Sequence, residues 1–360
     1  MPSGTPDDPA TFEAPRHALA PGDRVPDFVL PDAEGAFRHF YERAQGRPIA
    51  LLLLAGKADL AAAARASATA KALAAQGADH LVIAAGDPER SLGEASAPAR
   101  WIADPRRKIL DGLRRGAGLP EGAPAWLLLD ANQRLVDLRA GDGLEEWAIR
   151  RLEAQDTAPE AGRFGAAAPV LILPNVLDPA ACIALIRRWE THGHDEGSVN
   201  SLVDGEEVRR VYHAMKKRRD HAIADEALLR SLIAVIGRRI APELDKAFGF
   251  RQPFRFDRFI VTCYDAGRGD YFRRHRDNAS PATADRRFAL TLNLNDGDYA
   301  GGELVFPEYG PHRYSPPAGG AILFSCSLLH EALPVTRGRR FTLLSFLRDS
   351  AAKPGSPARG

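Results

Sequence analysis

The sequence predicts two domains, an α/β domain in the first half and an α+β domain of the jelly-roll type in the second. The chain has 360 residues, of which 45% are hydrophobic, and this is enough for two cores. Residues 19–155 alternate strand-like apolar runs with helix-like segments. Residues 257–347 contain short apolar segments separated by Gly, Pro and Asn-Asp-Gly, which is typical of an antiparallel fold that is closed or built from two sheets.

Composition shifts place the domain boundaries. A polar, acidic and Pro-rich start predicts a disordered tail, and it lacks the basic and apolar regions of a signal peptide. A stretch rich in Ala, Gly and Pro between the two patterns predicts a linker. The predicted boundaries are a tail at 1–18, the first domain at 19–155, the linker at 156–168, the second domain at 169–349 and a tail at 350–360.

Charge and cysteine content limit the class of protein. The net charge of +1 gives no bulk electrostatic attraction to nucleic acid or to a membrane. The longest strongly apolar run, residues 49–55, is too short to cross a bilayer. Cys182, Cys263 and Cys326 form neither a CxxC motif nor an even set, so we expect buried free thiols in a reducing, cytoplasmic setting.

The first domain shows a strand–helix–strand–hairpin–helix order. The predicted elements are strands at 48–56 and 80–87, an Ala-rich helix at 58–77, a hairpin at 123–141 and a helix at 144–154. This half resembles the thioredoxin-like fold, specifically the peroxiredoxin type. The resemblance rests on VPDFVLPDAEG at 25–35 and WLLLDANQRLV at 126–136.

The resemblance stops at the catalytic position. Peroxiredoxins place a peroxidatic cysteine after the first long strand, where a helix N-terminus lowers the thiol pKa. This sequence has Gly-Lys-Ala-Asp at 56–59 and no cysteine before Cys182, which excludes thiol peroxidase chemistry in this domain. A redox-inactive domain can still be a docking module, a dimerisation module or a scaffold, and the sequence does not choose among these roles.

The second domain begins with helical and irregular segments. Asp178 and Pro179 predict the start of an amphipathic helix. The charged segment 195–219 is expected to be irregular, and its basic run at 216–219 is typical of a solvated surface. Residues 225–250 predict one long helix or two abutting ones that support the sheet.

Eight strands are expected after these helices, and they carry a metal-ligand pattern. The strands are predicted near 257–264, 270–276, 287–294, 302–306, 311–314, 320–325, 328–334 and 340–347. His275 and Asp277 are two residues apart on a strand, so both side chains point to one face. His330 lies on a later strand, and two imidazoles with one carboxylate suit a facial-triad Fe(II) site. Arg340 can hold a carboxylate nearby.

An isolated His-x-Asp would be weak evidence for a metal site, since a chain with ten histidines can contain one by chance, and a lone histidine such as His330 is more often structural than a ligand. The combined pattern is specific, and it resembles the prolyl 4-hydroxylase branch of the Fe(II)/2-oxoglutarate-dependent oxygenases. The resemblance covers about residues 168–348 and implies a double-stranded β-helix with supporting helices. The matching segments are YDAGRGDYFRRHRDN at 264–278, GGELVFPEYG at 301–310, GGAILF at 319–324 and LLHEALPVTRGRRFTLLSFL at 328–347.

The resemblance implies a role for each site residue. It makes His275, Asp277 and His330 the iron ligands, and it makes Arg340 the partner of the distal carboxylate of 2-oxoglutarate. Three further residues are expected to contact this co-substrate: Tyr264, Thr342 and Asn293. Asn293 stands where some relatives have a tyrosine.

The implied function is an Fe(II)- and 2-oxoglutarate-dependent dioxygenase that hydroxylates a prolyl or other residue of a protein or peptide and releases succinate and CO2. The cofactors would be Fe(II), 2-oxoglutarate and O2, with ascorbate as a candidate reductant. Two alternatives remain: the same chemistry on a free amino acid or small metabolite, and a non-catalytic binding or sensing protein. The sequence leaves the oligomeric state open.

Overall fold

A computed structural model describes residues 17–31, 37–43, 46–54, 60–85, 100–154, 165–203 and 206–350. The chain divides into two compact units, Met1–Glu160 and Ala161–Gly360. Most of both predicted tails, most of the predicted linker and the Gly-Lys-Ala-Asp segment at 56–59 lie outside the described residues.

The first unit contains a five-stranded mixed sheet in the order β5-β4-β3-β6-β7. Neighbours among β3, β4 and β5 are parallel, while β6 runs antiparallel to both β3 and β7. A separate antiparallel pair, β1–β2, completes the strands described here. The elements are β1 (Val29–Pro31), β2 (Phe37–His39), α1 (Phe40–Arg43), β3 (Ile49–Leu54), α2 (Leu60–Ala75), β4 (Asp79–Ala84), β5 (Arg100–Ala103), α3 (Lys108–Gly116), β6 (Ala125–Leu129), β7 (Leu135–Ala140) and α4 (Glu145–Glu153).

Strand β3 has a continuous apolar sequence because both faces of the sheet are covered. Leu51 and Leu53 lie in one core, and Ala50 and Leu52 lie in another on the opposite face. The elements β3, α2, β4, the β6–β7 hairpin and α4 follow one another in the predicted strand–helix–strand–hairpin–helix order. The sequence analysis did not predict β5 or α3. Strand β5 has only four residues, and α3 contains two glycines and begins after Arg107 without a side-chain cap.

The second unit contains two larger antiparallel sheets and two small strand pairs. Its elements are β8 (Leu171–Leu173), α5 (Pro179–Thr191), β9 (Asp195–Glu196), β10 (Ser198–Val203), β11 (Glu206–Val211), β12 (Lys216–Lys217), β13 (Arg219–Ala222), α6 (Glu226–Phe248), β14 (Phe254–Phe256), β15 (Ile260–Asp265), β16 (Tyr271–His275), β17 (Arg286–Asn293), β18 (Ala300–Gly301), β19 (Leu304–Val305), β20 (Arg313–Tyr314), β21 (Ala321–Ser325), β22 (His330–Ala332), β23 (Val335–Arg337) and β24 (Arg339–Asp349). All eight strands predicted between residues 257 and 347 are present.

The larger sheet has the order β8-β21-β17-β24-β15-β13-β9, with β14 paired to β24, and the smaller sheet has the order β12-β16-β22-β19-β20. The remaining pairs are β10–β11 and β18–β23. Side chains from both sheets share one core, in which Tyr264 and Phe324 of the larger sheet pack with Leu304 and Ala332 of the smaller one. This is the two-sheet form of the predicted architecture.

Helices α5 and α6 pack on the larger sheet as the predicted support. Ile236 and Ile240 of α6 share a core with Val261 and Leu290 of the sheet. Asp178 caps α5 by accepting a hydrogen bond from the Ala181 amide, as the Asp-Pro start predicted. The segment 225–250 forms one long helix, and Pro242 lies inside it rather than at a break.

The expectation for segment 195–219 was wrong in two respects. The segment is not irregular, because β10 and β11 form a regular antiparallel hairpin over six residue pairs. The basic run at 216–219 is not a solvated surface, because Lys216 and Arg218 are only 5% and 4% exposed. Both side chains form ion pairs with Asp220, which compensates the cost of burying their charges.

Candidate metal centre

Three predicted ligands converge between β16 and β22. His275 and His330 are cross-strand partners in this antiparallel pair, and Asp277 lies two residues after His275. The His275 Nε2 atom lies 3.3 Å from Asp277 Oδ1, and the His330 Nε2 atom lies 3.4 Å from Asp277 Oδ2. One ligand atom from each residue lies within 4.8 Å of the other two. This spacing lets all three side chains bind one cation.

Asp277 reaches the site in a different way from the one predicted. Strand β16 ends at His275, so simple strand alternation does not carry Asp277 to the same face. The Asp277 amide instead donates a hydrogen bond of 3.0 Å to the Cys326 carbonyl. This bond holds the Asp277 backbone against the segment that leads to His330.

The hydrogen bonds of both imidazoles fit a metal site. The His275 Nδ1 atom lies 2.7 Å from the Arg273 carbonyl, and the His330 Nδ1 atom lies 3.0 Å from the Leu328 carbonyl. A carbonyl only accepts, so each Nδ1 carries a proton, and in the neutral form of each ring it is Nε2 that presents the lone pair. Two lone pairs and a carboxylate then face one another in a buried space, an arrangement that a cation stabilises. Fe(II) fits this donor set.

The protonation states also suit metal binding. Burial lowers the pKa of His330, although the Asp277 carboxylate opposes the shift. Burial alone would raise the pKa of Asp277, but His330, His275 and Arg286 outweigh it and hold that pKa well below its usual range. A neutral imidazole beside an ionised carboxylate is the form that coordinates a metal.

Arg340 is a buried cation beside the triad. Its side chain is 1% exposed, whereas the neighbouring Arg339 is exposed and pairs with Glu190, as the alternation along β24 predicted. Arg340 Nη1 donates to the Gly302 carbonyl at 2.8 Å and Nη2 donates to Asn293 Oδ1 at 2.7 Å. Among the described residues, the Arg340 Nε–H finds no acceptor.

Asn293 lies behind Arg340 rather than on the cavity wall. Its Oδ1 orients the guanidinium, and its amide nitrogen donates to the Pro316 carbonyl at 2.7 Å. Gly302 is also needed here, because it has φ of +76° and a Cβ at this position would lie 2.9 Å from Arg340 Cδ. These contacts fix the direction in which Arg340 presents its free donor.

Tyr264 and Thr342, the other predicted co-substrate contacts, line the same cavity as the triad. Thr342 shares a hydrogen bond of 2.6 Å with its cross-strand partner Thr262. The Tyr264 hydroxyl accepts a hydrogen bond of 2.7 Å from Arg218 Nη1. The sequence analysis missed Arg218. The signal was the alternation of Lys216, Arg218 and Asp220, which places one acid and two bases on one face of an extended segment.

Two cavities meet at the triad. A small one of about 60 Å³ contains Tyr264, Arg340 and Thr342 on its wall together with the three candidate ligands. A larger one of about 390 Å³ shares His275 and Asp277 and opens beside the β10–β11 hairpin. Two cavities of different size therefore adjoin the candidate ligands.

Comparisons with known proteins agree with this geometry. Residues 259–348 match the 2OG-Fe(II) oxygenase superfamily. A PKHD-type hydroxylase of Xanthomonas euvesicatoria pv. vesicatoria is 32% identical over 200 residues, which cover 51% of this chain and 82% of the relative. The chain belongs to the 2OG-Fe(II) oxygenase superfamily. It is a 2-oxoglutarate-dependent dioxygenase, and its cofactors are Fe(II), 2-oxoglutarate and O2.

Two solved structures show more distant likeness to this oxygenase. The viral collagen prolyl hydroxylase of Paramecium Bursaria Chlorella virus-1, in its 2OG complex, has a TM-score of 0.38 and 18% identity, and the match covers 51% of this chain and 97% of that one. Peroxidoxin BcpB of Mycobacterium tuberculosis has a TM-score of 0.33 and 18% identity, with 39% of this chain and 99% of that one covered.

No helix among the described residues of the oxygenase has the length and apolar character needed to span a membrane. The three cysteines are buried and unpaired, as predicted. Burial raises the thiol pKa to about 11 for Cys182 and to about 12 for Cys263. These thiols are therefore protonated and poorly reactive at neutral pH.

Proposed function

We propose that His275, Asp277 and His330 hold Fe(II) and that Arg340 binds the distal carboxylate of 2-oxoglutarate. The observation that carries this proposal is the convergence of two imidazole lone pairs and a carboxylate beside a buried guanidinium with an unused donor. Fe(II), when bound by these residues, would supply the oxidising chemistry by which 2-oxoglutarate and O2 yield succinate, CO2 and a hydroxylated substrate. The protein's own residues bind the co-acid, orient it and exclude water.

The substrate we propose is a prolyl or other residue of a protein or peptide. The larger cavity supports this, because Ser198, Val199 and Tyr212 of the hairpin region form part of its wall. Val208 and Val211 of β11 are 40% and 48% exposed, so the hairpin presents apolar surface to a partner.

Succinate formation from 2-oxoglutarate tests the proposed co-substrate. The full-length protein with Fe(II) should release succinate slowly alone and faster with a substrate. A His275→Ala variant should release none, because two ligands do not make a stable iron site. Succinate formation by the His275→Ala variant at the wild-type rate would overturn the assignment.

A second assay separates the polypeptide substrate from the small-molecule alternative. Proline-containing peptides and free amino acids, including proline, are compared at equal concentration for stimulated succinate release and for a mass gain of one oxygen. Hydroxylation of a peptide supports the proposal. Hydroxylation of a free amino acid with no effect on peptides would favour the alternative, while leaving the proposed metal and 2-oxoglutarate sites in place.

A further inference from the structure

Arg218 is a buried cation that the proposed function does not use. It lies between β12 and β13 and is 4% exposed. Its side chain lines both the small cavity, which holds Arg340, and the larger cavity beside the hairpin. Its guanidinium carbon lies 5.5 Å from the centre of the Tyr264 ring and 5.5 Å from that of Phe272. Burial of a charge costs free energy, so the hydrogen bonds that Arg218 makes in this position indicate its role.

Arg218 fixes the hydrogen-bonding role of Tyr264. Its Nε donates to Asp220 Oδ1 at 2.8 Å, and its Nη1 donates to the Tyr264 hydroxyl at 2.7 Å. A guanidinium has only donors, so the phenol oxygen must accept. Among the residues that the structure describes, Arg218 is the single hydrogen-bond partner of this hydroxyl. The phenol proton is therefore unused, and it is available to an acceptor in the small cavity.

Two unused donors consequently belong to neighbouring residues of one cavity wall. Tyr264 and Arg340 are cross-strand partners in β15 and β24, and the Arg340 guanidinium carbon lies 5.8 Å from the centre of the Tyr264 ring. Tyr264 and Arg340 both line the small cavity, so the phenol O–H and the guanidinium are two donors available to one carboxylate there. The donated bond from Arg218 also polarises the phenol, which strengthens the bond that the phenol donates.

We propose that Arg218 is a positioning residue of the co-substrate site, which holds the Tyr264 hydroxyl as a donor to the distal carboxylate of 2-oxoglutarate. The inference rests on the proposed function, because it assumes that this acid occupies the small cavity. Arg218 acts through Tyr264 and is not a catalytic residue. Asp220 keeps the second partner Lys216 at 3.1 Å, so removal of Arg218 does not leave an unpaired buried carboxylate.

A double-mutant cycle tests the inference by binding rather than by turnover. The variants are Arg218→Met, Tyr264→Phe and the double variant, and the measurement is calorimetric titration of the full-length Fe(II) protein with 2-oxoglutarate without oxygen. Each single variant should bind about tenfold more weakly, since each loses one charge-assisted or polarised hydrogen bond. The double variant should bind no more weakly than Tyr264→Phe alone. Losses that multiply in the double variant would overturn the inference.

Two controls remove a merely structural explanation. Arg219→Met deletes the neighbouring arginine, which pairs with Asp265 at 2.9 Å and lines neither cavity, and it should leave the affinity unchanged. The second control is 2-oxobutanoate, which keeps the 2-oxo acid group but lacks the distal carboxylate. Arg218→Met should not weaken binding of 2-oxobutanoate, and an equal loss for both acids would overturn the inference.

The proposed function and the inference can fail separately. If Arg340→Ala abolishes 2-oxoglutarate binding while Tyr264→Phe and Arg218→Met have no effect, the proposed function stands and the role of Arg218 is wrong. If the wild-type Fe(II) protein does not bind 2-oxoglutarate, the proposed function fails first. Melting temperatures of the variants, compared with that of Arg219→Met, show whether each one remains folded.

Discussion

His275 and His330 stand directly opposite each other in the antiparallel pair β16–β22, with their ring centroids 4.3 Å apart. Cross-strand partners are held by the hydrogen bonds of the ladder, so the backbone sets the spacing of these two rings. The Asp277 amide donates a hydrogen bond to the Cys326 carbonyl, and the Asp277 carboxylate is the third candidate ligand. The three donors are thus fixed by main-chain contacts, which is the preorganisation that a metal site needs.

Replacing His330 by Ala should abolish tight metal binding. The change leaves one imidazole and one carboxylate, and we expect affinity for Fe(II) or Co(II) to fall by more than about 100-fold, since loss of an outer-shell partner alone costs 10–100-fold. Metal content after equilibrium dialysis is the measurement. His213→Ala, which changes an exposed histidine outside the triad, is the control. A full equivalent of metal in the His330→Ala protein would contradict the proposed ligand set.

Arg340→Ala should act on 2-oxoglutarate rather than on the metal. The change removes the proposed partner of the distal carboxylate, and we expect the apparent KM for 2-oxoglutarate to rise by about 100-fold with metal content unchanged. The control is Arg339→Ala, because Arg339 points outward and pairs with Glu190 at 3.1 Å. That variant should stay within about twofold of wild type. Equal effects of the two substitutions would show that Arg340 is not the carboxylate partner.

Gly302→Ala should weaken 2-oxoglutarate binding through Arg340. The new Cβ would lie 2.9 Å from Arg340 Cδ and 2.8 Å from Val335 Cγ2, so the guanidinium must move. Gly269→Ala is the matched control, because Gly269 also has positive φ, at +65°, but has no atom within 4 Å of the added Cβ. Both variants should lose about 1 kcal/mol of stability from backbone strain. Only Gly302→Ala should raise the KM for 2-oxoglutarate, by about tenfold, and an equal KM in both variants would exclude the steric argument.

The convergence of the three candidate ligands could be predicted from the sequence because it depends on residue type and strand pairing. The convergence of His275, Asp277 and His330 followed from short apolar strands and from a His-x-Asp motif. The reason given for Asp277 was incomplete, since β16 ends at His275 and a main-chain bond to Cys326 holds the carboxylate in place. A hydrogen bond between two main-chain groups that are distant in sequence does not depend on side-chain type, so it cannot be predicted from the residues.

The buried position of Arg218 was not predicted from the sequence. A run of four basic residues predicts a solvated surface, and that rule failed because Asp220 accepts ion pairs from both Lys216 and Arg218. Burial of the Asp220 carboxylate alone would raise its pKa, but Arg218 and Lys216 outweigh this and hold the pKa below its usual range. Asp220 lies two residues after Arg218 and four after Lys216, so the alternation of charges along an extended segment could have predicted these ion pairs. The contact with Tyr264 depended on the fold and could not be read from that segment.

His80 should make the stability of the first unit depend on pH. Its ring is buried against Trp126, with a centroid distance of 5.3 Å, and its Nδ1 donates to the Ala50 carbonyl at 2.9 Å. Burial lowers the pKa of His80 from 6.5 to about 4. Between those two values the unfolded chain binds more protons than the folded one, so the free energy of unfolding falls as the pH falls. The full loss is about 3 kcal/mol, completed near pH 4.

Urea unfolding of the full-length protein, followed by tryptophan fluorescence from pH 7.5 to pH 4, measures this contribution. His80→Phe and His80→Gln cannot gain a proton, so both should lack the additional loss of stability that the wild type shows below pH 6.5. Carboxylates that titrate in the same range affect all three proteins equally, and the difference between wild type and variant isolates His80. If the difference in the free energy of unfolding between wild type and variant stays constant from pH 7.5 to pH 4, His80 gains its proton without loss of stability and the prediction is wrong.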